Sequence, residues 1–196
     1  MEGTYKQTVA PTLRAVTLDE AKMQCNVTGT NDHDDYLDML ILHAAECVGL
    51  YTNRQVMEAT YELSLDAFPG EIKIFKPPVS AISSITYIDT DGDEQTLSSS
   101  YYQTSLTTND GPARIKSAYG YTWPSTRSGE YDAVTVTFVA GYDDVSDVPR
   151  PIKHAILFLV AHWFAQREPV IVGTISAELP MGVEMLLSLQ DWGAYA

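Results

Sequence analysis

Residues 152–168 read IKHAILFLVAHWFAQRE, an apolar run that carries two histidines and a tryptophan and closes on an Arg-Glu pair. Three structures suit such a run: a membrane anchor, a metal-binding helix, or one wall of a packed core. The stretch without Lys, Arg, Asp or Glu, His154 to Gln166, is thirteen residues long. Crossing a bilayer takes about twenty, so a membrane span is excluded. His154 and His162 are eight residues apart, or about 12 Å along a helix, too far to share one metal ion. What remains is packing. Ile152, Ala155, Ile156, Leu159, Val160, Trp163 and Phe164 follow the i, i+3, i+4 steps of a helix stripe. His154, Leu157, Phe158, Ala161 and Ala165 lie elsewhere round the helix and are also apolar or neutral. A helix apolar nearly all round is covered on more than one side, and other subunits are expected to supply part of that cover.

Working outward, the C-terminal part (143–196) begins that helix with Pro149 and Pro151, placed where a first turn tolerates proline. After REPVIVGTISAELPMG a short final helix, VEMLLSLQDW, is predicted. The N-terminal part (1–58) reads as helical. Thr17 with Glu20 forms a capping-box signature at TLDE, and Asn26 to Asn31 is a loop. DHDDYLDMLILHAAECVGLYTNRQ then opens with acids at the positive end of a helix dipole. Its apolar positions Leu37, Leu40, Ile41, Ala44, Ala45, Val48 and Tyr51 make one stripe, with Asp38 and Glu46 outside it.

The middle, residues 59–142, reads as β. TYELSLDAF alternates with Tyr61, Leu63 and Leu65 on one face, and AVTVTFVAGY does so with Val134, Val136 and Phe138. EIKIF is a further strand that Pro77-Pro78 ends, and ISSITYID and EQTL flank a Thr-Asp-Gly-Asp hairpin turn. Tyr101 to Asp132 reads as short strands with long loops. The expected fold class is α+β: an α-helical bundle of N- and C-terminal helices with an inserted antiparallel β domain.

The chain of 196 residues carries 26 acids against 12 bases, a formal charge of −14. Binding nucleic acid through its phosphates needs the opposite balance. Half of the excess lies in residues 61–150, which hold thirteen acids and six bases. Cys25 and Cys47 have no CxxC spacing and set no disulfide framework, so a reduced compartment is expected. The N-terminus lacks the basic and apolar regions of a signal peptide.

Motifs for chemistry are missing. His33 and His43 add no metal spacing, and DTDGDE (89–94) fails as an EF-hand loop, since glycine falls fourth and Ser100 holds the twelfth place. No GxSxG, phosphate loop or GxGxxG occurs. No catalytic residue, metal or cofactor is assigned, and no enzyme activity is expected. Tyrosines 101, 102, 119, 121 and 131 with Trp123 leave a second reading open, a β-type module binding carbohydrate or a host surface through its loops.

The order of several stretches resembles one family. These are LDEAKMQCNV (18–27), DDYLDMLILHAAECVGLYTNRQ (34–55), FKPPVSAISSITYIDTDGDEQTL (75–97), YGYTWPSTRSGEYDAVTVTFVAGY (119–142), VPRPIKHAILFLVAHWFAQRE (148–168) and ISAELPMGVEMLL (175–187). In this order they are similar to the head–tail connector (adaptor) proteins of tailed bacteriophages and gene-transfer particles, in the longer form with a β insertion. TYKQTVAPT (4–12) lies outside the resemblance.

The resemblance implies a virion protein of the neck, assembled in the host cytoplasm as a ring, usually twelvefold, beneath the portal. That ring extends the DNA channel and docks the stopper or tail, and the DNA passes through without specific binding. The helical parts form the ring body, and the C-terminal segment engages the portal through Met185, Leu186, Leu189, Trp192 and Tyr195. Ile156, Leu159, Trp163 and Phe164 then serve as core and subunit interface, closed at the helix end by His162 and Arg167–Glu168. Some of Asp32, Asp34, Asp35 and Asp38 are expected to face the lumen, where an acidic wall repels phosphate within about 8 Å at physiological salt.

Overall fold

A computed structural model describes residues 3–106, 111–166 and 181–188 of the chain. In chain order the elements are β1 (Thr4–Val9), α1 (Leu18–Gln24), α2 (Asp34–Tyr51), β2 (Ala59–Leu65), β3 (Ile72–Ile74), β4 (Val79–Ile88) and β5 (Glu94–Thr96). There follow β6 (Tyr102–Ser105), β7 (Ala113–Ser117), β8 (Val134–Ala140), α3 (Arg150–Ala165) and α4 (Met181–Ser188). The fold is mixed α+β with two antiparallel sheets. The chain divides into two compact units, one drawn from Met1–Pro11 and Glu58–Tyr142, the other from Thr12–Met57 and Asp143–Ala196.

The β unit holds a five-stranded sheet in the order β1-β2-β8-β4-β5 and a three-stranded sheet in the order β3-β7-β6. Alternation puts one side chain in two inward, and β2 and β8 both show it without interruption. Their register pairs Tyr61 with Phe138, Leu63 with Val136 and Leu65 with Val134. Ile72 and Ile74 of β3 and Ile115 of β7 join the same buried cluster, so the two sheets share one core. Phe138 is fully buried, stacked on Tyr61 at 5.7 Å and met edge-on by Tyr5 at 6.2 Å. β4 shifts register against β8 twice, between Val79 and Ala81 and between Ile82 and Ser84. Such bulges bend a strand and increase its twist.

β1 departs from the expectation that residues 1–58 are helical. It pairs with β2 as the edge of the larger sheet, Tyr5 opposite Leu63 and Gln7 opposite Tyr61. TYKQTV is exposed along most of its length, so only Tyr5 carries a burial signal. Its partner strand lies more than fifty residues on, and no local pattern announces the pairing.

In the helical unit, Thr17 and Glu20 form the expected capping box, with the Glu20 N–H donating to Thr17 Oγ1 at 3.1 Å and the Thr17 N–H to Glu20 Oε2 at 2.7 Å. α2 buries Leu37, Leu40, Ile41, Ala44 and Val48, while Tyr51, expected in that stripe, is exposed. α3 buries Ile152, Ala155, Ile156, Leu159 and Val160. His43 meets Trp163 at 5.2 Å and His33 meets Phe164 at 5.3 Å, so the C-terminal end of α3 lies beside the N-terminal half of α2. α4 packs on α3 through its buried Val183 and Leu187.

Candidate functional site

The long apolar helix resolves into two faces. Ile156 and Leu159 are buried within the subunit and are core residues. Trp163 and Phe164 are half-buried, and both spend their rings on α2 and its approach: Trp163 on His43, Phe164 on His33 and Tyr36. The opposite face is open. His154 stacks on Phe158 at 4.9 Å, and Phe158 stays 37% exposed. α2 likewise shows Met39, Leu42 and Leu50 to solvent, with Leu50 at 76% exposure. Each helix therefore buries one stripe and leaves a second set of apolar side chains exposed among the described residues.

The four acids at the start of α2 differ in their freedom. Asp34 pairs with Lys22, itself buried and hydrogen-bonded to Asn31 Oδ1 at 3.0 Å. Asp38 receives two hydrogen bonds from Arg14, Nε to Oδ1 and Nη2 to Oδ2, both 2.9 Å. The fork holds the Asp38 carboxyl below the usual carboxylate range. Asp32 and Asp35 are exposed, Asp32 accepting a hydrogen bond from Thr30 Oγ1 at 2.7 Å. Two of the four carry a cation of their own, and two present open charge.

Of the expected portal-docking side chains, Met185 is 71% exposed and Leu186 half-buried on α4. Leu189, Trp192 and Tyr195 lie outside the described residues, as do Arg167 and Glu168.

The tyrosine-rich loops split in two. Trp123 stacks flat on Phe68, centroids 4.8 Å apart and planes 8° from parallel, and Phe68 in turn meets Tyr87. Both pack against the sheet core, which takes Trp123 out of any exposed platform. Tyr101 and Tyr121 pair at 4.7 Å and remain exposed, and Tyr119 is wholly so at the tip of a turn. An open hollow lies between Asp66–Ala67 and Thr126–Tyr131, and Arg127 and Glu130 pair within the second segment at 3.7 Å.

The DTDGDE stretch forms the tip of the β4–β5 hairpin. Asp89 Oδ1 accepts the backbone N–H groups of Asp91, Gly92 and Asp93, and its Oδ2 accepts Gln95 Nε2 at 2.9 Å. Those bonds lower the Asp89 pKa and lock the turn, with Gly92 at φ +95°. Among the described residues no group of His, Cys, Asp and Glu is arranged to hold a metal ion. Burial pushes the Cys25 and Cys47 thiols up, away from the thiolate that a nucleophile needs. Among the described residues no helix is long and apolar enough to cross a membrane.

One feature escapes a reading of sequence alone. Lys73, Arg114 and Lys116 point outward from the smaller sheet, with Lys73 directly opposite Arg114. Alternation in ARIKS marks Arg114 and Lys116 as face-mates, but Lys73 joins them only through a register set 41 residues away.

The sequence profile of the phage gp6-like head–tail connector proteins matches residues 15–118, more than half of the chain. The chain belongs to that family. The match runs from the capped helix α1 through both hairpin strands β4 and β5 and into the small sheet. No curated protein matches the connector. Among solved structures, the neck of an empty GTA particle computed with C6 symmetry aligns at TM-score 0.79 and 20% identity, covering 98% of the connector and 97% of that chain. A chain in the virion of a native gene transfer agent particle aligns at 0.77 and 18%, with the same coverage. The neck of a native GTA particle computed with C12 symmetry aligns at 0.73 and 18%, again over 98% and 97%. At such identities the likeness is one of fold, and it extends over nearly the whole connector.

Proposed function

We propose that this connector is a structural, non-enzymatic part of a tailed-phage or gene-transfer-type neck, assembled as a ring beneath the portal. In that position it extends the DNA channel and offers a docking surface to the stopper or tail. The observation that carries the reading is the family match over residues 15–118, joined to a fold likeness that spans 98% of the chain. The symmetry of the neck structures it resembles, sixfold and twelvefold, favours a ring of many copies.

The parts take roles accordingly. The helices of 12–57 and 143–196 form the ring body, and the β unit, β1 apart, is an insertion in the chain between them. The exposed stripes Met39–Leu42–Leu50 on α2 and His154–Phe158 on α3 are the lateral surfaces that neighbours cover, because apolar faces left open on a monomer promote association. Residues 183–196, with Met185 as the anchor already exposed, dock on the portal. Asp32 and Asp35 face the lumen, and a chain of formal charge −14 lines a tube that passes DNA without holding it.

Co-sedimentation with the portal ring encoded in the same genome tests this. The connector is expected to pellet with the portal, and removal of residues 183–196 to abolish that. A connector that stays in the supernatant at every concentration rules the portal-bound reading out.

A further inference from the structure

The outward face of the β3-β7-β6 sheet stands against the charge of the whole molecule. Of the 12 basic residues in the chain, three, Lys73, Arg114 and Lys116, are exposed on this one small face. Lys73 and Arg114 are cross-strand partners, and Lys116 lies two residues along β7, opposite Gln103. Like charges directly opposite one another destabilise a sheet. With 26 acids in the chain, relief was within reach, yet none of the three cations makes an ion pair among the described residues. Glu71, just ahead of β3, forms none with them. The exposed Tyr101–Tyr121 pair borders the face at the Lys116 end, where the Tyr101 carbonyl accepts the Ala118 N–H. A cluster of unneutralised cations beside aromatic rings is a surface shaped for an anionic partner.

The same chain carries a matching projection. Asp91, Asp93 and Glu94 are exposed at the β4–β5 tip, and none of them makes an ion pair among the described residues. The Asp89 carboxylate holds that tip through three backbone N–H groups, so little ordering is needed on contact. A ring needs a head-to-tail contact, in which each subunit brings two different, complementary patches. The formal charge of −14 disfavours a long polyanion such as DNA at this face and leaves a short acidic protein segment as the suitable partner.

We propose that the Lys73–Arg114–Lys116 face receives the Asp91–Asp93–Glu94 hairpin tip of a second copy of the chain. The contact rests on the ring reading above and specifies where one β unit meets the next. It steers neighbours into register, and added salt weakens it.

Reciprocal charge reversal on the full chain, assembled on portal rings, is the test. One variant carries Lys73→Glu, Arg114→Glu and Lys116→Glu, the other Asp91→Lys, Asp93→Lys and Glu94→Lys. All six positions are exposed, and circular dichroism with an unchanged melting profile checks that each variant folds. Each variant alone is expected to lose ring occupancy on the portal at least tenfold, and an equimolar mixture to recover it, since every tip then finds a face of opposite charge. A carbodiimide cross-link between Lys73 or Lys116 of one isotopically labelled copy and an acid at the tip of an unlabelled copy is expected in wild-type rings. Wild-type-like rings from either variant alone overturn the contact while leaving the ring reading intact. A mixture that fails to recover overturns it too, as does a wild-type ring lacking the cross-link. A short DNA duplex bound at physiological salt by the wild type and lost in the first variant, with rings unaffected, assigns the face to phosphate instead. A wild type that forms no ring on the portal removes both readings together.

Discussion

Arg14 grips Asp38 with both ends of its fork, Nε on Oδ1 and Nη2 on Oδ2, each at 2.9 Å, and so ties the segment ahead of α1 to the second turn of α2. The pair is partly open to water, with Asp38 45% exposed, which limits its contribution to at most about 1 kcal/mol. Its pH dependence has a definite sign. The folded Asp38 pKa is depressed, so its stabilisation is complete above the unfolded carboxylate value and is lost as pH falls through the folded one. Asp38→Asn is expected to lower the urea midpoint at neutral pH. That difference from wild type should shrink to nothing in acid, once Asp38 of the wild type is itself protonated.

Thr17→Ala removes the half of the α1 capping box in which Thr17 Oγ1 accepts the Glu20 N–H, together with the hydroxyl's own bond to Glu20 Oε2, and leaves the residue-17 backbone N–H on Glu20 in place. The expected loss is about 1 kcal/mol, read from denaturant melts, and Thr17→Ser is expected to retain most of it. Equal losses in the two variants contradict a capping role.

Phe138 fills the centre of the shared sheet core, stacked on Tyr61 and edge-on to Tyr5. Phe138→Ala is expected to cost about 3–5 kcal/mol, a large share of the stability of an ordinary domain. Phe138→Leu keeps most of the volume and is expected to cost less than half as much. Urea unfolding followed through tryptophan fluorescence reads both.

Gly92 occupies φ +95° at the hairpin tip, and a Cβ there would come within 2.7 Å of Arg127 Nη1. Gly92→Ala is expected to destabilise the hairpin by about 1 kcal/mol or more, because backbone strain adds to displacement of the arginine. Amide hydrogen exchange at Asp91 to Asp93, whose N–H groups Asp89 holds, is expected to rise. Unchanged protection there contradicts the account of the tip.

The opposed cations on the small sheet predict a stability gain. Lys73→Thr removes the charge facing Arg114 and places a β-favouring residue on an exposed strand. The isolated subunit is expected to gain up to about 1 kcal/mol, chiefly at low salt, with the gain fading as salt screens the repulsion. A loss of stability at low salt contradicts the absence of a compensating acid.

Much of the fold was legible in the sequence because local patterns carried it. Tyr61, Leu63 and Leu65 alternate as strictly in the strand as in the string of letters, and the same holds for Val134, Val136 and Phe138. Thr17 and Glu20 announced their helix with a spacing of three. What failed was non-local. Tyr5 alone among the β1 residues packs on the core, and its strand exists because β2, far along the chain, offers an edge. Trp123 reads in sequence as a loop aromatic, and its stacking partner Phe68 lies 55 residues before it, beyond any local pattern. The acids of α2 showed the same limit: Asp34 and Asp38 are spoken for by Lys22 and Arg14, cations on separate elements that no helix pattern pairs with them.

Imaging of the connector bound to its portal by cryo-electron microscopy tests the central claim most directly. The account predicts a closed ring of identical subunits, coaxial with the portal channel, with the open faces of α2 and α3 covered by neighbours. A single copy bound off-axis, or a monomer that leaves Met39, Leu50 and Phe158 in solvent, would contradict it.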